Sequence, residues 1–592
     1  MSVQSKHVLN TPATLVVDSL RGLCDVNPQL ALDEQNKIVY LKSHDRNKVA
    51  LMCGGGSGHE PAHAGFVGRG ILTGAVCGNI FASPSASQVR RGIDLLDNDK
   101  GTVIIVKNYT GDVLNFGLAK EQYAALYPEK AKSVRFVVVG DDVSVGRAQG
   151  KIVGRRGLAG TVLVYKIAGA LAERRACVDD VHSMAEFIAS HVGTIGVSLG
   201  HTHVPGTAAA SSELSTSEIE IGMGIHNESG HSRLSPIPKL SKLMPQLLDF
   251  LTSTTDPDRS FLPFKGKDEV VLLVNNLGSI SELEMGGIVA EARRALDAKG
   301  FNTRRIISGT FMTSLNMPGF SITLLLLPRA GEENAPSTDL ILSLLDDHTD
   351  IPAWKWTAGM PPVPVSSQTV PSEKVEANKG DIRRIVAEDP AKFVESIKRA
   401  CNALIAAEPD ITRMDSIAGD GDCGLTLKAG AEGVLTEIDA GVITGNDVVK
   451  SIITIAQVAE EAMGGTSGAL YSIFFSGLAQ GFQSDGTTGN VATPELWSQA
   501  LTSALTNLYT YTRARPPSRT LVDPLDAFIN TFSAGAGKYT EATEAAAKAA
   551  EETKNLEAKA GRSAYVEGDR LKKKQIPDPG AWGVKTIFEN LA

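Results

Sequence analysis

Three aspartates fall within eight residues, at Asp415, Asp420 and Asp422, in the stretch MDSIAGDGDCG. Gly419, Gly421 and Gly424 loosen the backbone between them. Carboxylates this close repel one another unless a cation sits among them. An EF-hand fails on spacing: counted from Asp420, the fifth and twelfth positions are Gly424 and Ala431, where that loop needs an oxygen ligand and a bidentate glutamate. Mg²⁺ holding nucleotide phosphates fits better, because it binds few carboxylates and keeps its substrate's oxygens. Two glycine-rich turns could complete such a site: AMGGTSGAL (Ala462–Leu470), with donors suited to anionic oxygens, and PDPGAWG (Pro577–Gly583).

The N-terminal half carries a different chemistry. In VKNYTGDVLNFG, Asp112 is a carboxylate able to take a proton, and Lys107 could orient a polar ligand. Read alone, this Gly-Asp is equally a solvated turn. In CGGGSGHEPAHAGFVG the glycines Gly54, Gly55, Gly56 and Gly58 let backbone approach a ligand and offer N–H groups to an oxyanion or hydroxyl. The spacing is neither a dinucleotide fingerprint nor a Walker A loop. His59 follows the glycines, and His226 sits in EIGMGIHNESG between Gly222, Gly224 and Gly230. Either histidine alone reads as a loop residue facing solvent.

The elements that must position these groups divide the chain by texture. From about Lys48 to Leu327, short β-branched apolar runs end in glycine or asparagine: VALMCGGGSG, GTVIIVKNYTGD, VRFVVVGDD, GTIGVSLG, VVLLVNNLGS and SITLLLLP. Helical-period segments alternate with them, VLNFGLAKEQYAALY and LEMGGIVAEARRALDAKG among them, the second closing on a Lys-Gly stop signal. This predicts a parallel or mixed α/β sheet with ligands at the carboxyl ends of strands. TAGMPPVPVSSQTVPSEKVEANKG (Thr357–Gly380) has linker composition. From Asp381 onward the patterns are long and helical, as in AKFVESIKRACNALIAAEP and ELWSQALTSALTNLYTYTRA, with almost no strand signal. The expected division is an α/β domain over 1–346, a linker over 347–382 and an all-helical domain over 383–592.

At 592 residues, two or three domains are expected. A net charge of −9 with mixed signs argues against a nucleic-acid or anionic-membrane binder. Six well-separated cysteines without a CxxC pair argue against a disulfide framework or zinc cluster and for a reducing compartment. No signal peptide, membrane-length apolar run or peroxisomal tripeptide is read, so the cytoplasm is the expected location.

Taken together and in order, GGGSGHEPAHAGFVGRGILTGAVCGNIFASPS, VKNYTGDVLNFGLA, EIGMGIHNESG, GTFMTSLNMPGFSITLL, DSIAGDGDCG, MGGTSGALY, GRSAYV and DPGAWGV resemble the ATP-dependent dihydroxyacetone (glycerone) kinases, over nearly the whole chain. The resemblance implies an α/β substrate domain of two subdomains, fused through the linker to a helix-barrel nucleotide domain. It implies phosphorylation of dihydroxyacetone, and of D-glyceraldehyde, with ATP and Mg²⁺. His226 matches the histidine that adds through Nε2 to the substrate carbonyl as a hemiaminal, with the glycines clearing room for that ligand. Gly56, Ser57, Gly58, His59 and Lys107 match the lining of the same pocket, and His59 and Asp112 match its acid/base pair. Asp415, Asp420 and Asp422 match the carboxylates that bind Mg²⁺–ATP. Nucleotide contacts match Cys423, Gly424, Leu425, Thr426, Thr466, Ser467, the Arg519-Thr520-Leu521 turn, Arg562, Asp578, Pro579 and Gly580. The resemblance favours a homodimer with domains pairing across chains.

The histidine loop departs from the family's usual Gly-Glu-Pro-Gly, reading Asn227-Glu228-Ser229-Gly230. Other readings within the resemblance are an FAD cyclase using the nucleotide domain with Mn²⁺, a ligand-sensing transcriptional regulator, and a phosphoprotein-fed kinase. The fused domain and complete aspartate triad favour free ATP.

Overall fold

The computed structural model describes residues 7–207, 214–329, 331–332, 334–355, 357–363, 383–484, 489–535, 538–558 and 574–591. The chain divides into two compact units, Met1–Pro371 and Ser372–Ala592.

The first unit is built on two six-stranded mixed sheets. One has the order β1 (Leu30–Asp33), β2 (Ile38–Leu41), β4 (Gly74–Ile80), β3 (Ala50–Ser57), β5 (Thr102–Lys107), β6 (Val134–Val139). β3 pairs in parallel with β4 and β5, and β5 with β6. The apolar runs at β3 and β5 are buried along their whole length, as expected of parallel strands covered on both faces. The other sheet has the order β11 (Asn302–Gly309), β10 (Glu269–Asn276), β12 (Gly319–Leu326), β7 (Val192–Ser198), β8 (Ile219–Ile221), β9 (Ser232–Leu234), and only its β10–β11 pair is parallel.

The helix Gly160–Glu173 packs against strands of both sheets. Its sequence, GTVLVYKIAGALAE, is mostly apolar and is buried nearly all round, and its one buried lysine, Lys166, donates to Leu344 O at 2.9 Å. Asp141, just beyond β6, ties the layers together. Its carboxylate accepts the N–H of Leu158 (2.5 Å) and Gly160 (2.8 Å) and the Thr194 hydroxyl on β7 (2.5 Å).

Among its described residues the second unit is helical, as its sequence pattern predicts, apart from the two-residue parallel pair Val386–Ala387 with Val491–Ala492. Its first helix does not stop at Pro409, where the apolar pattern thins, but runs from Pro390 to Ala418. The helices enclose an apolar cavity of about 610 Å³ lined by aromatic residues such as Phe393, Phe474, Trp497 and Phe528. Asp415, Asp420 and Asp422 are not among its lining residues, so carboxylate cluster and cavity are separate features.

At the end of β10, Asn275 is fully buried and fully bonded. Its Oδ1 accepts from the N–H of Phe311 (2.9 Å) and Met312 (3.0 Å), and its Nδ2 donates to Met312 O (2.7 Å) and Ser321 Oγ (3.1 Å). Truncation to alanine strands these backbone groups without water. Asn275→Ala is therefore expected to lower unfolding stability by on the order of 2–4 kcal/mol, read from denaturant midpoints of the N-terminal unit. A change under about 0.5 kcal/mol, the usual range for a surface substitution, would refute this.

Candidate active site

The N-terminal candidates gather where β3 and β5 end. β3 finishes at Ser57 and runs straight into the loop carrying His59. β5 finishes at Lys107, and the helix Thr110–Leu126 follows with Asp112 in its first turn rather than in a free turn. Gly55, at φ +150°, makes the approach possible: a Cβ there would stand 3.1 Å from Asp112 Oδ2.

His59 is fully buried, with Nδ1 2.8 Å from the carbonyl oxygen of Thr313 and Nε2 3.0 Å from Nε2 of His226. Phe81 stacks on His59 and meets His226 edge-on, while Tyr109 meets His226 edge-on from another side at 4.7 Å. On its far nitrogen, Nδ1 of His226 lies 3.0 Å from Glu228 Oε1, and the His226 N–H donates to Glu228 Oε2 at 2.9 Å. Asp112 Oδ1 accepts from Ser83 Oγ at 2.5 Å.

The electrostatics suit proton transfer. Burial pushes the Asp112 carboxyl up, and Lys107 and His226 pull it partly back. Burial lowers the Lys107 ammonium, opposed chiefly by Asp112. Burial, reinforced by Lys107, drives His59 well below the ordinary imidazole range, so it is a neutral ring at pH 7.

Several expectations about the loops change in detail. The glycines around His226 do not leave open space. A Cβ on Gly224 would stand 2.0 Å from the Glu228 carboxylate and 2.5 Å from Arg156, and one on Gly222 would meet Ser144 at 2.4 Å. In the glycine loop, the Ser57 hydroxyl already donates to Gly78 O (2.9 Å) and the Gly58 N–H to Glu60 Oε2 (2.9 Å). The departure at Asn227 is accommodated: its φ is +64°, which asparagine adopts more readily than other side chains, and its amide exchanges two hydrogen bonds with the Thr202 backbone.

One segment joins the two sheets' contributions. Thr313 N donates to His59 O, Thr313 Oγ1 to Glu60 O, Leu315 N to Gly58 O, and Ser314 Oγ to Ile225 O beside His226. The sequence reading quoted this stretch, GTFMTSLNMPG, without giving any of its residues a role. It also gave no role to Glu228, Glu60, Phe81, Tyr109 or Ser83, although all five lie within the quoted stretches.

The C-terminal candidates converge independently. Asp415 Oδ2 accepts the N–H groups of Gly421 (3.0 Å), Asp422 (2.9 Å) and Cys423 (3.0 Å), which folds the loop back on the helix Pro390–Ala418. One ligand atom each from Asp415, Asp420 and Asp422 then lies within 4.8 Å of the others, the first buried and the others exposed. These hard oxygens fit Mg²⁺. Cys423, Gly424, Leu425 and Thr426 form the first turn of the helix Cys423–Asp439, and Thr466 and Ser467 that of the helix Gly465–Gly481, just after a π-turn at Ala459–Met463.

Pro579 and Gly580 open the last helix, Pro579–Leu591, with Asp578 Oδ1 accepting the Ala581 N–H at 2.9 Å. Fully buried Arg519 connects two of these turns, donating to Ile576 O at 2.8 Å with Nη1 3.8 Å from Asp578 Oδ2. The adjoining Thr520 N–H is held by Asp523 at 2.8 Å. The Asp415 carboxylate is among the charges that raise the Asp578 carboxyl, after its burial. Arg562 lies outside the described residues.

A Dak1 domain model matches residues 21–353 and a DAK2 domain model residues 417–592. The chain is 41% identical over 625 residues to the dihydroxyacetone kinase of Pichia angusta, covering 100% of this chain and 98% of that one. The chain belongs to the dihydroxyacetone kinase family. Within it, the Mus musculus triokinase/FMN cyclase is 38% identical over 602 residues, covering 99% of this chain and 98% of that protein. The crystal structure of the C. freundii dihydroxyacetone kinase in complex with AMP-PNP and Mg²⁺ matches with TM-score 0.64 at 30% identity, covering 99% of both chains. No helix among the described residues is long and apolar enough to cross a membrane.

Asp578 gives the site a pH signature. Burial raises its carboxyl to about 6, against about 3.9 in an unfolded chain. The native state therefore holds this proton more tightly than the unfolded state, and the contribution weakens the fold as pH rises from about 4 to about 6. Asparagine at this position keeps an acceptor for Ala581 and cannot ionise. In metal- and nucleotide-free protein, Asp578→Asn is expected to gain on the order of 1–3 kcal/mol over the parent between pH 4 and pH 7, read from unfolding of the helical unit. A stability difference that stays constant with pH would refute the assignment.

Proposed function

We propose that this kinase transfers the γ-phosphoryl group of ATP to dihydroxyacetone, and to D-glyceraldehyde, giving dihydroxyacetone phosphate and glyceraldehyde 3-phosphate. The observation that carries the reading is the pairing of two imidazoles through Nε2, beside the glycine-rich end of β3 and the buried Lys107 and Asp112. His226 is partly exposed there, its Nδ1 occupied by Glu228 and its Nε2 turned inward. That suits a ring that bonds a carbonyl carbon through Nε2. A triol such as glycerol offers similar hydroxyls but no carbonyl and is discriminated against by covalency.

His59, neutral and fixed by Thr313, and Asp112, held by Ser83, are the groups suited to receive the proton of the terminal hydroxyl as it attacks phosphorus. Lys107 orients the substrate's oxygens. Asp415, Asp420 and Asp422 would hold Mg²⁺, which supplies charge neutralisation on the phosphates when bound. Thr466, Ser467, Thr520, Arg562 and Asp578 are assigned to the nucleotide. We assign residues 1–346 to the substrate and 383–592 to ATP, with 347–382 as linker, and place the enzyme in the cytoplasm.

His226→Ala is expected to abolish the covalent adduct and weaken ketose binding while some turnover survives. Asp112→Ala should lower kcat by on the order of 100-fold with substrate capture still measurable. An adduct persisting in the first variant, seen by mass spectrometry, or unchanged kcat in the second, would each remove the corresponding role.

The working unit is inferred to be a homodimer in which one chain's substrate domain is served by its partner's nucleotide domain. Mixed dimers of Asp112→Ala and Asp420→Ala chains would then regain one intact site. Verified mixed dimers with no recovered turnover of dihydroxyacetone would exclude pairing across chains.

A further inference from the structure

We infer that Glu228 is the positioning counter-ion of His226, and that the resting site stores on His226 the proton its substrate's carbonyl oxygen takes up as the Nε2–C bond forms. The inference rests on the reading that His226 bonds the carbonyl.

Hydrogen-bond bookkeeping leads to it. The Thr313 carbonyl can only accept, so His59 carries hydrogen on Nδ1. The Glu228 carboxylate can only accept, so His226 carries hydrogen on Nδ1 as well. The 3.0 Å contact between the two Nε2 atoms needs one hydrogen more. Two neutral rings hold two ring hydrogens, so this pair holds one extra and bears one positive charge.

That charge belongs on His226. His59 is fully buried with Lys107 acting against its protonation, whereas His226 faces a carboxylate that binds both its Nδ1 and its backbone N–H. The carboxylate occupies the space that any side chain on residue 224 would fill. Arg156 stands behind it at 4.0 Å, anchored on Asp142 at 2.8 Å. Contact with His226 holds the Glu228 carboxyl down at about 2, overcoming its burial.

The chemistry then balances without any further reagent. Nε2 of His226 releases its hydrogen to Nε2 of His59, and the freed lone pair bonds the carbonyl carbon. The C=O π electrons move to oxygen, which takes the proton from His59. The product is a hemiaminal with a hydroxyl group, and its ring carries carbon on Nε2 and hydrogen on Nδ1. The ring is still cationic and still paired with Glu228. Charge stays constant throughout, and without the Glu228 carboxylate the resting ring loses the stored proton, so capture would have to draw one from solvent.

The test uses the full-length chain without ATP, with dihydroxyacetone ¹³C-labelled at its carbonyl carbon and with glycerol as a ligand that cannot form the bond. The parent should show the labelled carbon moving from a carbonyl to a tetrahedral resonance. In Glu228→Gln, which keeps an acceptor and loses the charge, that resonance should vanish. Dihydroxyacetone affinity should fall about tenfold or more while glycerol affinity stays within about twofold. Glu228→Asp, retaining the charge at a longer reach, should restore part of both signals. A parent-like tetrahedral signal and ligand ratio in Glu228→Gln overturns the inference. So does a parallel fall for both ligands with no rescue by aspartate, the mark of a merely structural role. Absence of the tetrahedral resonance in the parent itself overturns the reading beneath the inference, and the inference with it.

Discussion

Two imidazoles delivered by two different sheets must meet at 3.0 Å, and much of the N-terminal unit can be understood as the means of holding them there. His59 leaves the end of β3, and His226 sits in the turn between β8 and β9. Neither strand touches the other sheet's ladder, so register alone cannot set the distance. It is set by Phe311–Asn316, whose backbone and hydroxyls bond the His59 loop on one side and the His226 loop on the other. Asn275 pins that segment to the end of β10. Such chains of bonds act geometrically: each is worth little net in stability, but a missing one leaves buried polar atoms stranded, so the arrangement has few alternatives.

The N-terminal site buries Lys107, Asp112 and His59 in one place, which is costly unless charges oppose one another. Lys107 and Asp112 offset each other, and Glu228 faces His226. His59, with no opposite charge against it, stays neutral. Burial thus sorts the titratable groups into charged and neutral members, which is what division of proton-transfer labour requires.

The strands and the helical C-terminal domain were legible because their signals are local. β-branched runs ending in glycine mark β3, β5 and β10, and the capping residues Ser281 and Gly300 bracket the helix Glu282–Ala298. The three aspartates stood out by type and spacing, whereas His59, Asp112 and His226 read alone as loop residues and took their expected roles from the resemblance. The partners of those residues did not stand out. Thr313 is an ordinary backbone carbonyl, and Ser83, Phe81 and Tyr109 matter only through the topology that brings them in. The glycines flanking His226 looked like room for a ligand, whereas two of them make room for Glu228, Arg156 and Ser144. An empty side chain says that something comes close and leaves open what it is. The quoted helical pattern closes at Pro409, whereas the helix Pro390–Ala418 runs on through it, with Ile411 and Met414 buried beyond the proline.

The two units solve opposite problems. In the N-terminal unit His59, Lys107 and Asp112 are buried, and His59 reaches the partly exposed His226 at 3.0 Å. In the helical unit only Asp415 is buried, and it spends one oxygen on three backbone N–H groups while Asp420 and Asp422 remain exposed. A preassembled set of three dry carboxylates would carry an intolerable uncompensated charge. Exposure lets the two outer aspartates stay hydrated until a cation arrives, and Asp415 keeps their loop shaped in the meantime. Burial therefore sits where the titratable groups are sorted into charged and neutral members, and hydration where three neighbouring carboxylates would otherwise repel one another.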